Sequence, residues 1–173
     1  MDPCDYKPIP KTSYEEFMKE KYWAKNRPMS IHFELTQRCN LRCIHCLFTH
    51  ETADELSTEE ILRILMQLKE IGVFSLSLSG GEIFARKDIE AILDFLMIQR
   101  FMVIIYTNGT LLNQCIIKKI AALNPSSVEI SIYGATPEVH DAITGVTGSF
   151  EKTIGNIREL RKNHVPTLFK GFS

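Results

Sequence analysis

Nowhere in the 173 residues is there an apolar run long enough to span a bilayer. The first residues, Met1-Asp2-Pro3-Cys4-Asp5, lack the basic and apolar regions of a secretory signal, and the expected location is the cytoplasm. Neither sign of charge dominates: 20 Lys and Arg stand against 21 Asp and Glu. That balance gives no footprint for nucleic acid or for an anionic membrane. Cysteine is scarce and odd in number, with three of the five between positions 39 and 46. Such spacing makes a poor disulfide framework and a good metal site in a reducing compartment. Low-complexity tracts and sequence repeats are also lacking. The 45% apolar and 24% charged composition is that of an ordinary globular chain, long enough for one core.

What is present is a regular alternation. Residues 1–30 read as a polar lead-in with one helix, capped by Thr12 or Ser13, with an apolar stripe of Tyr14, Phe17, Met18 and Tyr22 and an end at Arg27-Pro28. That helix either packs on the main domain or recognises a partner peptide. From residue 31 to 173 the pattern is one domain. Strands are predicted at Ile31–Thr36, Val73–Ser79, Met102–Thr107 and Val128–Tyr133, the third buried on both faces. Val165–Phe169 begins a fifth. Helices lie between them: one opened by the capping box Ser57-Thr58-Glu59-Glu60, one through Ile89–Leu96, one through Leu112–Leu123 and one from Ser149. Alternation at this spacing predicts an α/β fold with a parallel sheet and right-handed crossovers.

The chemistry concentrates in Cys39-Asn40-Leu41-Arg42-Cys43-Ile44-His45-Cys46. Three thiolates spaced C-x3-C-x2-C on a short loop can ligate three irons of a cubane and leave the fourth open to a ligand. The competing reading is a zinc site completed by His45 or His50, but zinc sites usually pair two C-x2-C knuckles and this sequence has no second one. Cys115, on an apolar-periodic helix, reads as a buried small hydrophobe. Gly80-Gly81-Glu82 ends the second strand, where two glycines allow backbone to approach a ligand. In parallel α/β domains ligands bind beyond the C-terminal ends of the strands. The cysteine loop, Gly80-Gly81-Glu82, Thr107-Asn108-Gly109 and Ser131–Gly134 follow strands one to four and so share one rim.

Together these four segments resemble the radical S-adenosylmethionine (radical SAM) superfamily over residues 30–164. The segments His140-Asp141-Ala142-Ile143-Thr144-Gly145 and Gly148-Ser149-Phe150 resemble its peptide-modifying branch with SPASM or Twitch extensions. Their local reading is a glycine-shaped loop with Ser149 as helix cap. The resemblance implies a partial TIM-like barrel, incomplete here at four βα units and the start of a fifth strand. It implies a 4Fe–4S cluster on Cys39, Cys43 and Cys46, and S-adenosylmethionine as cofactor. His45 would lie near the adenine, Gly80, Gly81 and Glu82 would receive the methionine amino group, and Asn108 and Ser131 would contact ribose or carboxylate. For Ser131, hydrogen bonding to local backbone is the competing reading. The implied activity is reductive cleavage of the cofactor to a 5′-deoxyadenosyl radical that abstracts hydrogen from a peptide-like or cofactor-precursor substrate. It brings an external electron donor such as flavodoxin or ferredoxin. The alternative is a truncated, non-catalytic iron–sulfur module that binds or regulates a partner. An open edge at strand four would be covered by a partner or a second copy.

Overall fold

The computed structural model describes residues 11–47 and 55–171, with side chains from residue 15 onward. Cys4, His50 and the caps expected at Thr12 and Ser13 lie outside the described residues or side chains. Five strands form one wholly parallel sheet in sequential order: β1 (Ser30–Thr36), β2 (Ser75–Gly80), β3 (Met102–Thr107), β4 (Ser127–Ser131) and β5 (Thr167–Lys170). Among the described residues six α-helices accompany them: α1 (Lys11–Lys21), α2 (Thr58–Glu70), α3 (Ile89–Gln99), α4 (Gln114–Leu123), α5 (Pro137–Thr144) and α6 (Ser149–Lys162). This is the α/β half-barrel expected. Its second open edge is β5 rather than strand four, because Val128–Ser131 pair with Thr167–Lys170.

One core lies between the sheet and its helices. Leu76, Leu78, Val103, Ile105, Val128 and Ile130 project from the strands onto Ile61, Leu65, Ile92, Leu96, Ile117, Ile120 and Leu160 of the helices. Fully burying each such side chain stabilises by about 1.5–3 kcal/mol. The helix ends follow local chemistry. Ser57 accepts from the Glu60 amide while the Glu60 carboxylate accepts from the Ser57 amide, closing the predicted capping box of α2. Asn113 caps α4, and Asn124 ends it in the left-handed conformation.

Four expectations differ. β3 is buried on one face only: Val103, Ile105 and Thr107 are buried, while Met102, Ile104 and Tyr106 face the open hollow of the half-barrel. Phe17 of α1 is 51% exposed, whereas Met18 and Tyr22 are buried as the stripe requires. Cys115 is exposed, because α4 turns Ile116, Ile117 and Ile120 inward. Ser149 does not cap α6 as its N-cap residue. It is the first helical residue, and Asp141 reaches over to accept from the Gly148 amide (2.6 Å), the Phe150 amide (2.9 Å) and the Ser149 hydroxyl (2.8 Å). Among the described residues no helix is long and apolar enough to cross a membrane.

Candidate cofactor site

The rim is assembled by backbone contacts that only certain residues permit. The cysteine loop leaves β1 and is tied to α5, the Arg42 amide donating to Thr144 O (2.8 Å) and the Ile44 amide to Ile143 O (3.0 Å). Gly145 takes φ +70°, and a Cβ there would lie 2.7 Å from Arg42 O. On the other side the Gly81 amide donates to Thr36 O and the Glu82 amide to Arg38 O, both at 2.8 Å. A side chain on Gly80 or Gly81 would overlap the backbone of Thr36 or of Gln37 and Arg38. The two glycines therefore let β2 lie directly against the entrance to the cysteine loop.

A cavity of about 310 Å3 opens at this rim, lined by Cys39, Leu41, Cys43, His45, Cys46, Leu47, Gly80, Gly81, Asn108, Ser131 and Tyr133. Every residue expected at the site except Glu82 is on that wall. The Glu82 carboxylate is buried behind it, accepting from the Thr107 hydroxyl at 2.8 and 2.9 Å, the Asn108 amide at 2.7 Å and the Phe84 amide at 3.1 Å. Burial pushes its pKa up, and those hydrogen bonds oppose the rise. Glu82 thus fastens the end of β2 to the turn after β3. Asn108 continues the link, donating to Asn40 Oδ1 (3.1 Å) and toward Cys39 Sγ (3.8 Å).

Two groups of residues here were given no role at the site from the sequence, although Tyr133 and His140 of the first lie in segments it marked. Tyr133 meets the His45 ring edge-on at 4.6 Å, stacks on buried His140 at 5.9 Å, and hydrogen-bonds Ser131 through its hydroxyl. The Tyr133 amide donates to His140 Nδ1 (3.2 Å), and burial lowers the His140 pKa. An aromatic side by side with His45 on the rim was the available signal. The second group is a charge knot under the loop. Arg86, 7% exposed, forks onto Asp88 (2.9 and 2.7 Å) and donates to Leu35 O (2.8 Å) and Leu56 O (3.1 Å). Glu55 accepts from the Thr36 hydroxyl (2.5 Å) and pairs with Arg38 (2.8 Å), the residue before Cys39. Nothing in the local sequence announces contacts between residues so far apart.

The donor set fits an iron–sulfur cluster. Burial raises the pKa of Cys39, and burial followed by the neighbouring Cys39 and Cys46 pushes Cys43 up to about 11. Three thiolates in so confined a place need a polycation among them. Among the described residues no three His, Cys, Asp or Glu side chains gather closely enough to hold a single metal ion. The thiols line a cavity instead of closing on a point.

A parallel half-barrel with a three-cysteine loop and a glycine strip at the C-terminal rim defines an α/β protein whose candidate cofactor site lies beyond the ends of its strands. The chain belongs to the radical SAM superfamily, whose profile matches residues 33–172. It is 38% identical over 144 residues to the AdoMet-dependent heme synthase of Methanosarcina barkeri, covering 82% of this chain and 41% of that protein. It is 36% identical over 135 residues to the mycofactocin maturase MftC of Mycobacterium tuberculosis, covering 77% and 34%. The crystal structure of Streptococcus suis SuiB bound to S-adenosylmethionine superposes with a TM-score of 0.77 at 20% identity, over 95% of this chain and 40% of that one. The family uses a 4Fe–4S cluster and S-adenosylmethionine, and the likeness is to its peptide-modifying, SPASM/Twitch branch. The chain spans roughly a third to two fifths of the length of these relatives, their N-terminal part.

Proposed function

We propose that this chain provides the cofactor-cleaving half of a radical SAM enzyme acting on a peptide-like substrate. The observation that carries the reading is the convergence of Cys39, Cys43 and Cys46 with Gly80 and Gly81 on one cavity. The three thiols would hold the cluster. With one electron from a flavodoxin- or ferredoxin-like donor, the chemistry such a cluster and S-adenosylmethionine would supply is reductive cleavage of the sulfonium C5′–S bond, giving methionine and a 5′-deoxyadenosyl radical able to abstract hydrogen. The chain's own part is placement. Gly80 and Gly81 offer unobstructed backbone to the methionine amino group. The His45–Tyr133 pair offers an aromatic wall for the adenine. Asn108 and Ser131 stand on the same wall for ribose or carboxylate. Glu82 keeps the strip and the Asn108 turn in register from behind. The maturases among the relatives, and the SuiB structure bound to its precursor peptide SuiA, support a peptide substrate.

Anaerobic reconstitution followed by spectra of the reduced protein tests the reading. A cubane signal that shifts on adding S-adenosylmethionine, and 5′-deoxyadenosine under strong reductant, are expected. Cys43→Ala should lose the iron with its helix content intact, and unchanged iron in that variant would refute the cluster assignment. A cluster indifferent to the cofactor would instead mark a non-catalytic iron–sulfur module.

A further inference from the structure

The hollow face of the sheet carries a polar row just beneath the cofactor cavity. On β1 and β2 the His32 Nε2 and Ser79 hydroxyl are hydrogen-bonded at 2.5 Å. On β3 the Tyr106 ring lies 5.8 Å from that of His32. On β4 and β5 Glu129 Oε2 forms an ion pair with Lys170 Nζ at 2.9 Å, and Nζ sits 5.1 Å from the centre of the Tyr106 ring. The interior of a closed parallel barrel is normally filled with branched apolar side chains. Here the corresponding face is open and carries these polar residues among the apolar Met102, Ile104 and Leu168.

Lys170 is the only lysine or arginine in any of the five strands. Its side chain is 58% exposed, whereas that of its partner Glu129 is 10% exposed. The carboxylate is therefore sunk in the sheet and the ammonium stands up into the hollow. An ammonium has three donors. Glu129 and Tyr106 are its partners among the described residues, fewer than the donors it has to offer. The other strand carboxylate, Glu34, is on β1 at the opposite edge of the sheet, four strand spacings along it. Lys170 is the β5 register partner of Ser131, which lines the cofactor cavity. A group held by Lys170 would thus lie one strand spacing from that cavity.

We propose that Lys170, seated on Glu129 and Tyr106, is a substrate-anchoring residue that receives a carboxylate of the substrate beside the cofactor cavity. The inference rests on the reading that a substrate enters this hollow, so its test is kept apart from turnover. Glutarate and its uncharged diamide, glutaramide, are titrated into the chain without reductant, and the Tyr106 ring signals are followed by NMR. Glutarate should produce a saturable shift and glutaramide none. Lys170→Gln should weaken glutarate binding by about tenfold or more, the equivalent of one charge-assisted hydrogen bond. Glu129→Gln should tighten it, because the competing anion is gone while the ammonium remains. A purely structural ion pair predicts the reverse for Glu129→Gln. A loss there equal to that of Lys170→Gln, equal binding of diacid and diamide, or no saturable shift would each overturn the proposal. The titration is repeated on reconstituted chain with S-adenosylmethionine. Glutarate binding that survives supports a substrate carboxylate, and its abolition would assign Lys170 to the cofactor's own carboxylate and overturn the proposal. Neither result depends on 5′-deoxyadenosine formation, which tests the cleavage activity separately.

Discussion

Replacing Gly81 by alanine should damage the cofactor site far more than it damages the fold. The new Cβ would stand 2.8 Å from Arg38 C and 2.8 Å from Gln37 O, where ordinary contact begins at 3.4 Å. Arg38 O lies nearer still, so the Gln37–Arg38 and Arg38–Cys39 peptides must both retreat by more than the 0.6 Å that the two 2.8 Å contacts alone require. They cannot do so alone, because Gly81 N to Thr36 O and Glu82 N to Arg38 O, both 2.8 Å, span the same gap. Overpacking of this kind costs about 1–3 kcal/mol, and weakening the hydrogen bonds adds about 1 kcal/mol. The sum, about 2–4 kcal/mol, lowers Tm by roughly 4–16 °C in a chain of this size. The displaced peptides lead straight into Cys39.

Gly72→Ala supplies the comparison. Gly72, unlike Gly81, has a left-handed backbone, φ +91°, and nothing lies within 4 Å of the position of its Cβ. It should cost only the conformational strain of about 1–2 kcal/mol. Iron and sulfide per chain are measured after anaerobic reconstitution, alongside circular dichroism and the spectral response to S-adenosylmethionine. Gly81→Ala should lose most of its iron or its cofactor response while keeping its helix signal, and Gly72→Ala should keep all three. Wild-type iron and wild-type response in Gly81→Ala would refute the idea that this close approach sets the geometry of the cysteine loop.

Glu82→Ala should keep its cluster and lose affinity for S-adenosylmethionine, since it leaves the Thr107, Asn108 and Phe84 donors unanswered behind the strip at about 1–3 kcal/mol each. Binding isotherms on reconstituted protein decide this. Arg86→Met removes the cation from a knot holding Asp88 and Glu55, and should destabilise by about 3–5 kcal/mol in denaturant melts, against near neutrality for exposed Lys87→Met. Asp141 is held below the usual carboxylate range by the Phe150 amide, the Ser149 hydroxyl and the Gly148 amide. A depressed folded pKa contributes stability that is present above the ordinary value of 3.8 and is lost as pH falls through the folded pKa. Asp141→Asn should therefore lower Tm at pH 7, and the gap should close in melts run below pH 3.8. A gap that persists in acid would mean that the charge is irrelevant.

The parts of this molecule that sequence periodicity exposes are those governed by near neighbours. The Ser57–Glu60 box, the Ile89–Leu96 stripe and the outward apolar face of β2 are all written within a few residues, and the observed elements coincide with them. The rim was legible for a related reason: in a sequentially ordered parallel sheet, segments that follow successive strands must lie side by side. Helix α5 was not, because eight residues carry barely two turns of pattern, and its marks, Pro137 at the first turn and Gly145 beyond the last, also suit a loop. The Asp141 cap acts on residues seven to nine positions ahead, outside the usual reach of a capping motif.

The misreading of β3 is the most instructive, since it follows from what a half-barrel does to alternation. Val103 and Ile105 meet helices, but Ile104 and Tyr106 meet a hollow whose floor includes Glu129 and Lys170. A β-branched run promises burial only if both faces have partners, and chain statistics carry no information about the second face. The polar residues of β1, β2 and β4 did carry it: His32, Glu34, Ser77, Ser79 and Glu129 recur at alternate positions of strands whose other positions are apolar. One wet face shared by three strands makes a dry inner face for β3 untenable, whatever its own composition.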